Sequence, residues 1–184
     1  MRNVEFYIYE EEILCLYPDG TNDRVTEHNA SLIKEILDTI RECYPDAYKE
    51  LMECYKKSSW NIPYFHFLMV NRFCKCNFGN LDSTRKDIDS SGRFNFERVG
   101  CPLRGECKHE NVICNPKFNS RLSDAELRVM KLIYEGCTNE EIADRLYLSP
   151  HTVKNHIKSV YLKLSIHEKS EFIRYANNNN IFKD

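Results

Sequence analysis

A chain of 184 residues has room for one large domain or two small ones and buries at least one core. With 42% apolar and 29% charged residues its composition excludes wholesale disorder, and no apolar run approaches the roughly 20 residues a membrane helix needs. The net charge of −2 hides an asymmetry: residues 1–73 carry 8 Lys+Arg against 13 Asp+Glu, whereas Arg145–Lys169 carry 5 against 1, so an anionic partner is to be sought at the second stretch.

MRNVEFYIYEEE carries acids where a secretory signal carries an apolar stretch, so the expected location is cytoplasmic. VEFYIY and EILCLY predict two short strands, and Pro18-Asp19-Gly20 a turn. Leu32, Ile33, Ile36, Leu37, Ile40 and Cys43 recur at helical spacing; Pro45 then opens a second helix whose face is Tyr48, Leu51, Met52 and Tyr55, and the two are expected to form a hairpin. Tyr64–Val70 is apolar throughout and core in either conformation, which assigns Trp60, Tyr64, Phe65 and Phe67 to packing, with His66 packed among them. Glu10, Glu11 and Glu12 read as a charged turn, because a phosphoacceptor receiver requires repeated strand-helix units and here helix follows helix.

Nine cysteines are many, and an odd number cannot all pair within one chain. Five of them, Cys74, Cys76, Cys101, Cys107 and Cys114, fall in a loop-rich segment, 73–114, whose Gly, Asp, Ser and Asn would hardly pack a core without a cross-link. Thiolates in a cytosolic chain are natural metal ligands, so structural zinc is expected, with an iron-sulfur cluster as the alternative. With His109 nearby the donors outnumber four places; the first choice is Cys74 and Cys76 with two of the other three cysteines. Cys15, Cys43, Cys54 and Cys137 lie in apolar patterns and are assigned to cores. Asp82, Asp87 and Asp89 lack the glycine and final acid of a calcium loop, and no phosphate loop, nucleophile elbow or zinc-hydrolase motif occurs, so an enzyme is not expected.

After a linker at Asn115–Ser120, Ser123 with Glu126 and Thr138 with Glu141 fit capping boxes, and Ser149-Pro150 opens a third helix. Val129, Leu132, Ile133, Ile142, Ala143, Leu146, Val153, Ile157, Val160, Tyr161 and Leu164 make a small trihelical core. At about 100° per residue the third helix turns His151, Lys154, Asn155, Lys158, Ser159 and Leu162 away from it. A short helix, a tight turn and a longer helix with a basic outer face is the plan of a helix-turn-helix reader.

The run from LSDAELRVMKLIYEGCTNEEIADRLYLS through PHTVKNHIKSVYLKL resembles the LuxR-type (GerE-like) DNA-binding domain, with a fourth helix around Glu168–Asn177. The resemblance implies that Lys154, Asn155 and Lys158 reach base edges of double-stranded DNA. It implies too that Thr138, Asn139, Ser149, Thr152, His156 and Lys163 hold phosphates or support the helix. A homodimer on DNA is expected, with Phe172, Ile173 and Ala176 of the fourth helix as its apolar surface. Glu140 departs from the pattern, standing where a basic residue is common.

The chain is therefore expected to be α+β over 1–118, with a metal-stabilised cysteine-rich segment, and an all-α four-helix LuxR-type domain over 119–184. The function this implies is a sequence-specific transcriptional regulator reading the major groove through the helix at about 150–164. The alternative is a protein-interaction adaptor whose helix-turn-helix does not bind DNA. Any small-molecule effector of the first domain is not legible.

Overall fold

The computed structural model describes residues 2–79, 81, 85–179 and 181–182, and the chain divides into two compact units, Met1–Lys117 and Phe118–Asp184. Asp82 lies outside the described residues.

In the first unit β1 (Glu5–Tyr9) and β2 (Glu12–Leu16) form an antiparallel hairpin in which Phe6 faces Cys15. Its turn is Glu10-Glu11, both at positive φ (48° and 66°), the geometry whose twist suits a two-residue hairpin loop. The three glutamates are thus a tight turn and its flank. At Pro18–Gly20 the chain turns again, with Tyr17 N–H donating to Thr21 C=O at 2.9 Å, and returns as β3 (Asn22–Arg24) along β2. An all-antiparallel sheet of order β1-β2-β3 is not a receiver sheet.

Helix α1 (Ala30–Cys43) buries the predicted stripe Leu32, Ile33, Ile36, Leu37 and Ile40. Tyr44 and Pro45 then start α2 (Pro45–Tyr55), which buries Ala47 and Leu51. The ambiguous apolar run is a helix, α3 (Ile62–Asn77), because Asn61 caps Tyr64 N–H and Pro63 sits in the first turn. Its Phe73 meets Tyr44, Phe78, Phe94 and Phe96 with ring centroids 5.8–6.3 Å apart.

Three expectations fail here. Trp60 is 85% exposed and Tyr64 41%, since both precede the buried stretch of α3 that begins at Phe65. Cys54 is exposed. The cysteine-rich segment does pack a core over part of its length: Phe78, Ile88, Phe94 and Ile113 are buried, and Ile88 exchanges both backbone hydrogen bonds with Val4 at 3.1 Å.

The second unit is four helices, α4 (Asp124–Tyr134), α5 (Asn139–Leu146), α6 (Pro150–Leu164) and α7 (Lys169–Asn178). Both capping boxes form with side chain and backbone reciprocated, and Ser149 caps α6 through Thr152 N–H. Gly136, at φ 97°, ends the first helix where a side chain would be strained. Val129, Met130, Ile133, Ile142, Ala143, Val153, Val160, Phe172 and Ala176 make the core. Phe172 and Ala176 are thus spent on the domain's own interior, leaving Ile173 half-buried.

Candidate nucleic-acid interface

The turn between α5 and α6 is Tyr147-Leu148-Ser149, with Tyr147 in the left-handed region (φ 55°, ψ 43°) and 96% exposed. Leu148 N–H donates to Ala143 C=O at 2.9 Å, fixing how α6 leaves α5. Val153 and Val160 point inward, so His151, Lys154, Asn155, Lys158 and Leu162 form the exposed arc of α6. Lys154, Asn155 and Lys158 are all exposed, and Leu162 is 73% exposed at the arc's far end.

The supporting residues are placed more variously. Thr138 is committed to the α5 capping box, accepting from Glu141 N–H at 3.3 Å while Glu141 accepts its N–H at 2.7 Å. Ser149 accepts from Thr152 N–H at 3.0 Å, and their hydroxyls are 2.8 Å apart. Asn139, Thr152 and His156 are half-buried.

Lys163 is tied within the domain, where it supports the helix. Its Nζ donates to Glu126 Oε2 at 2.7 Å, and the same carboxylate accepts from Ser159 Oγ at 2.7 Å and from Ser123 N–H at 2.8 Å. Glu126 therefore caps α4 and holds α6 against it. Burial raises its pKa, but the bonds from Lys163, Ser123 and Ser159 outweigh it and bring the carboxyl to about 2. Ser159, expected on the outer arc, is turned to this bond instead. Its distance of 33 residues from Glu126 left no local signal, whereas the capping role of Glu126 was legible in the Ser-x-x-Glu spacing.

In the first unit the structure sets Cys74 apart from the other four cysteines of the segment. Cys74 is fully enclosed in α3, with Asp87 and Cys15 nearby. Cys76, Cys107 and Cys101 are the thiol neighbours of Cys114. Burial first, then these neighbouring thiols, push Cys114 up to about 12. His109, nearby in sequence, instead faces α2: its Nε2 is 3.7 Å from Cys54 Sγ and its Nδ1 3.0 Å from Glu50 Oε1. Among the described residues the compact groups of potential ligand atoms are Glu50, Cys54 and His109, and Glu5, Asp87 and Glu97. Neither Cys54 nor Glu50 stands out in the sequence, because each sits in an ordinary helical pattern.

The model of the bacterial regulatory proteins of the luxR family matches residues 120–176, the span of the four helices from just before α4 into α7. Residues 120–176 are a LuxR-family helix-turn-helix domain. No family model matches the first unit. The domain is similar to the Fimbriae Z protein of Escherichia coli (strain K12), 42% identical over 55 residues, covering 30% of this chain and 26% of that protein. It is 37% identical over 60 residues to the transcriptional regulatory protein LiaR of Bacillus subtilis (strain 168), covering 33% and 28%. With the HTH-type transcriptional regulator MalT of Yersinia pestis (strain Pestoides F) the chain shares 37% identity over 96 residues, half of its own length and 10% of that protein. The chain thus spans about a quarter of the first two relatives. Among the described residues no helix is long and apolar enough to cross a membrane.

Proposed function

We propose that the protein is a DNA-binding transcriptional regulator that reads the major groove through the outer arc of α6. The observation that carries this is the coincidence of the LuxR-family match with an exposed Lys154, Asn155 and Lys158 on the helix that follows the turn. Lys donates to the O6 and N7 acceptors of guanine, and the Asn amide matches the N6 and N7 edge of adenine. The amino ends of α5 and α6, at Thr138-Asn139 and Ser149, offer backbone N–H groups to flanking phosphates. One recognition helix covers few base pairs, so two copies on half-sites about 34 Å apart are part of the reading.

Leu162 favours the second reading, an adaptor surface, because an apolar side chain this exposed serves a protein contact better than a phosphate. Titration of the full chain against duplex DNA at several salt concentrations separates the two. A DNA reader loses affinity steeply as salt rises, in proportion to the phosphates it neutralises. No binding at low salt, by a folded protein, would leave the adaptor reading standing.

A further inference from the structure

We propose that Cys76, Cys101, Cys107 and Cys114 are the four ligands of a thiolate-bound metal centre, and that Cys74 is not one of them. The sequence alone favoured Cys74 and Cys76 as a pair, but α3 runs to Asn77, so the two stand on a helix two residues, or about 200°, apart. Their sulfurs cannot face one site. Cys74 points into the core, and Cys76 is turned to the half-buried side of the helix.

The backbone brings Cys114 to Cys76 by a separate route. The side chain of Asn77, next to Cys76 and fully buried, donates to Ile113 C=O at 2.8 Å and accepts from Asn115 N–H at 2.7 Å. It therefore clamps the chain on both sides of Cys114. Cys101 and Cys107 come from one turn, in which Arg104 N–H donates to Cys101 C=O and Cys107 N–H to Leu103 C=O at 3.2 and 2.9 Å. Both remain half-buried, and the loop returns directly from Cys107 to Cys114, with Glu110 N–H donating to Cys107 C=O at 3.0 Å and Cys114 N–H to His109 C=O at 3.4 Å.

Polar contacts shape that turn, with Gly105 N–H donating to Glu110 Oε2 at 2.7 Å and Arg104 Nη2 to Val99 C=O at 2.8 Å, but little apolar burial supports it. Between Cys101 and Val112 only His109 is buried, and Pro102, Leu103, Arg104, Gly105 and Glu106 are all exposed. Four thiolates on one metal would supply the cross-link that apolar burial does not, each thiol releasing its proton to solvent as its metal–sulfur bond forms. The Arg72 guanidinium beside Cys76 offsets part of the negative charge.

Two occupants share this chemistry. A single zinc with bonds of about 2.3 Å needs every sulfur pair about 3.8 Å apart. Among the described residues no three of these sulfurs lie within 4.8 Å of one another, so zinc requires the 101–107 turn to close inward, whereas an iron-sulfur cluster, with its own atoms between the thiolates, accepts wider spacing. The competing compact group, Glu50, Cys54 and His109, contains none of the four.

The test uses the full chain purified anaerobically without chelator. Iron, zinc and acid-labile sulfide are measured, and cysteines are alkylated under native conditions before and after metal removal, with sites assigned by mass spectrometry. The expected result is about one equivalent of zinc, or iron with matching sulfide, with Cys76, Cys101, Cys107 and Cys114 protected until the metal is removed. Exposed Cys54 labels in both conditions, and Cys74 only on unfolding. Cys101→Ser and Cys107→Ser should lose the metal, whereas Cys43→Ser and Cys54→Ser should retain it. The proposal is overturned by neither metal above a tenth of an equivalent, by the four labelling as fast as Cys54, or by metal lost in Cys54→Ser and kept in Cys107→Ser.

Discussion

Replacing Glu126 with Gln keeps the shape of the side chain and removes its charge. The carboxylate holds Lys163 at 2.7 Å, Ser159 at 2.7 Å and Ser123 N–H at 2.8 Å. An amide oxygen still accepts from Ser123, and the Ser159 hydroxyl rotates to accept from the amide nitrogen, so the main loss is the charge-assisted bond to Lys163. Such bonds contribute roughly 1.5–3 kcal/mol. Lys163 is 42% exposed, so solvent screening reduces this to about 1–2 kcal/mol. For a small domain the corresponding fall in melting temperature is roughly 5–15 °C.

The pH dependence has a definite sign. The Glu126 pKa falls from its ordinary 4.5 to about 2 on folding, so its stabilisation is fully present above 4.5 and is lost as pH drops toward 2. Gln has nothing to protonate. The stability gap between wild type and Glu126→Gln should therefore be largest at neutral pH and close progressively below about 4.5. Hydrogen exchange of α4 and α6 amides in the full chain at about pH 7 and about pH 3 reads the gap directly. An equal gap at both values, or none at neutral pH, would refute the assignment of Glu126 as the ionic tie between α4 and α6.

Other outcomes follow from the same contacts. Lys163→Ala should lower the unfolding free energy of the second unit, and any loss of DNA affinity should follow that of Glu126→Gln; lost affinity with unchanged stability would return Lys163 to a phosphate contact. Tyr147→Gly should stabilise by about 0.5–1 kcal/mol in thermal unfolding, since glycine adopts φ 55° without a Cβ clash and the exposed ring gives up little packing; a lower midpoint would contradict this. Thr138→Ala removes the hydroxyl half of the α5 capping box and should cost about 1 kcal/mol, measured by denaturant titration.

What was legible in the sequence was local. The helix starts at Ser123, Thr138 and Ser149 are written within four residues each, and the core of α4, α5 and α6 follows from spacing, so the second unit could be read almost entire. Strand β3 could not: Asn22–Arg24 has no apolar residue and pairs only because the turn at Pro18–Gly20 returns it to β2. Tyr64–Val70 lacked a period, and its cap, Asn61, decided the matter. The cysteines misled in a different way. C-x-C looks like a pair in a loop but diverges on a helix, while Glu50 and Cys54 of α2 meet His109 across more than fifty residues. Contacts of that range leave no pattern within either segment.

The central claim, that the outer arc of α6 reads DNA sequence, is tested most directly by one comparison. Affinities of wild type, Asn155→Ala and Lys158→Ala are measured on the preferred site, found by selection from random duplexes, and on unrelated duplex DNA at one salt concentration. Each variant should lose about 1–3 kcal/mol on the preferred site, and Asn155→Ala should lose far less on unrelated DNA, because a neutral amide releases no counterion. If both variants are folded and the ratio of specific to non-specific affinity is unchanged, α6 does not present its reading face where Lys154, Asn155 and Lys158 stand.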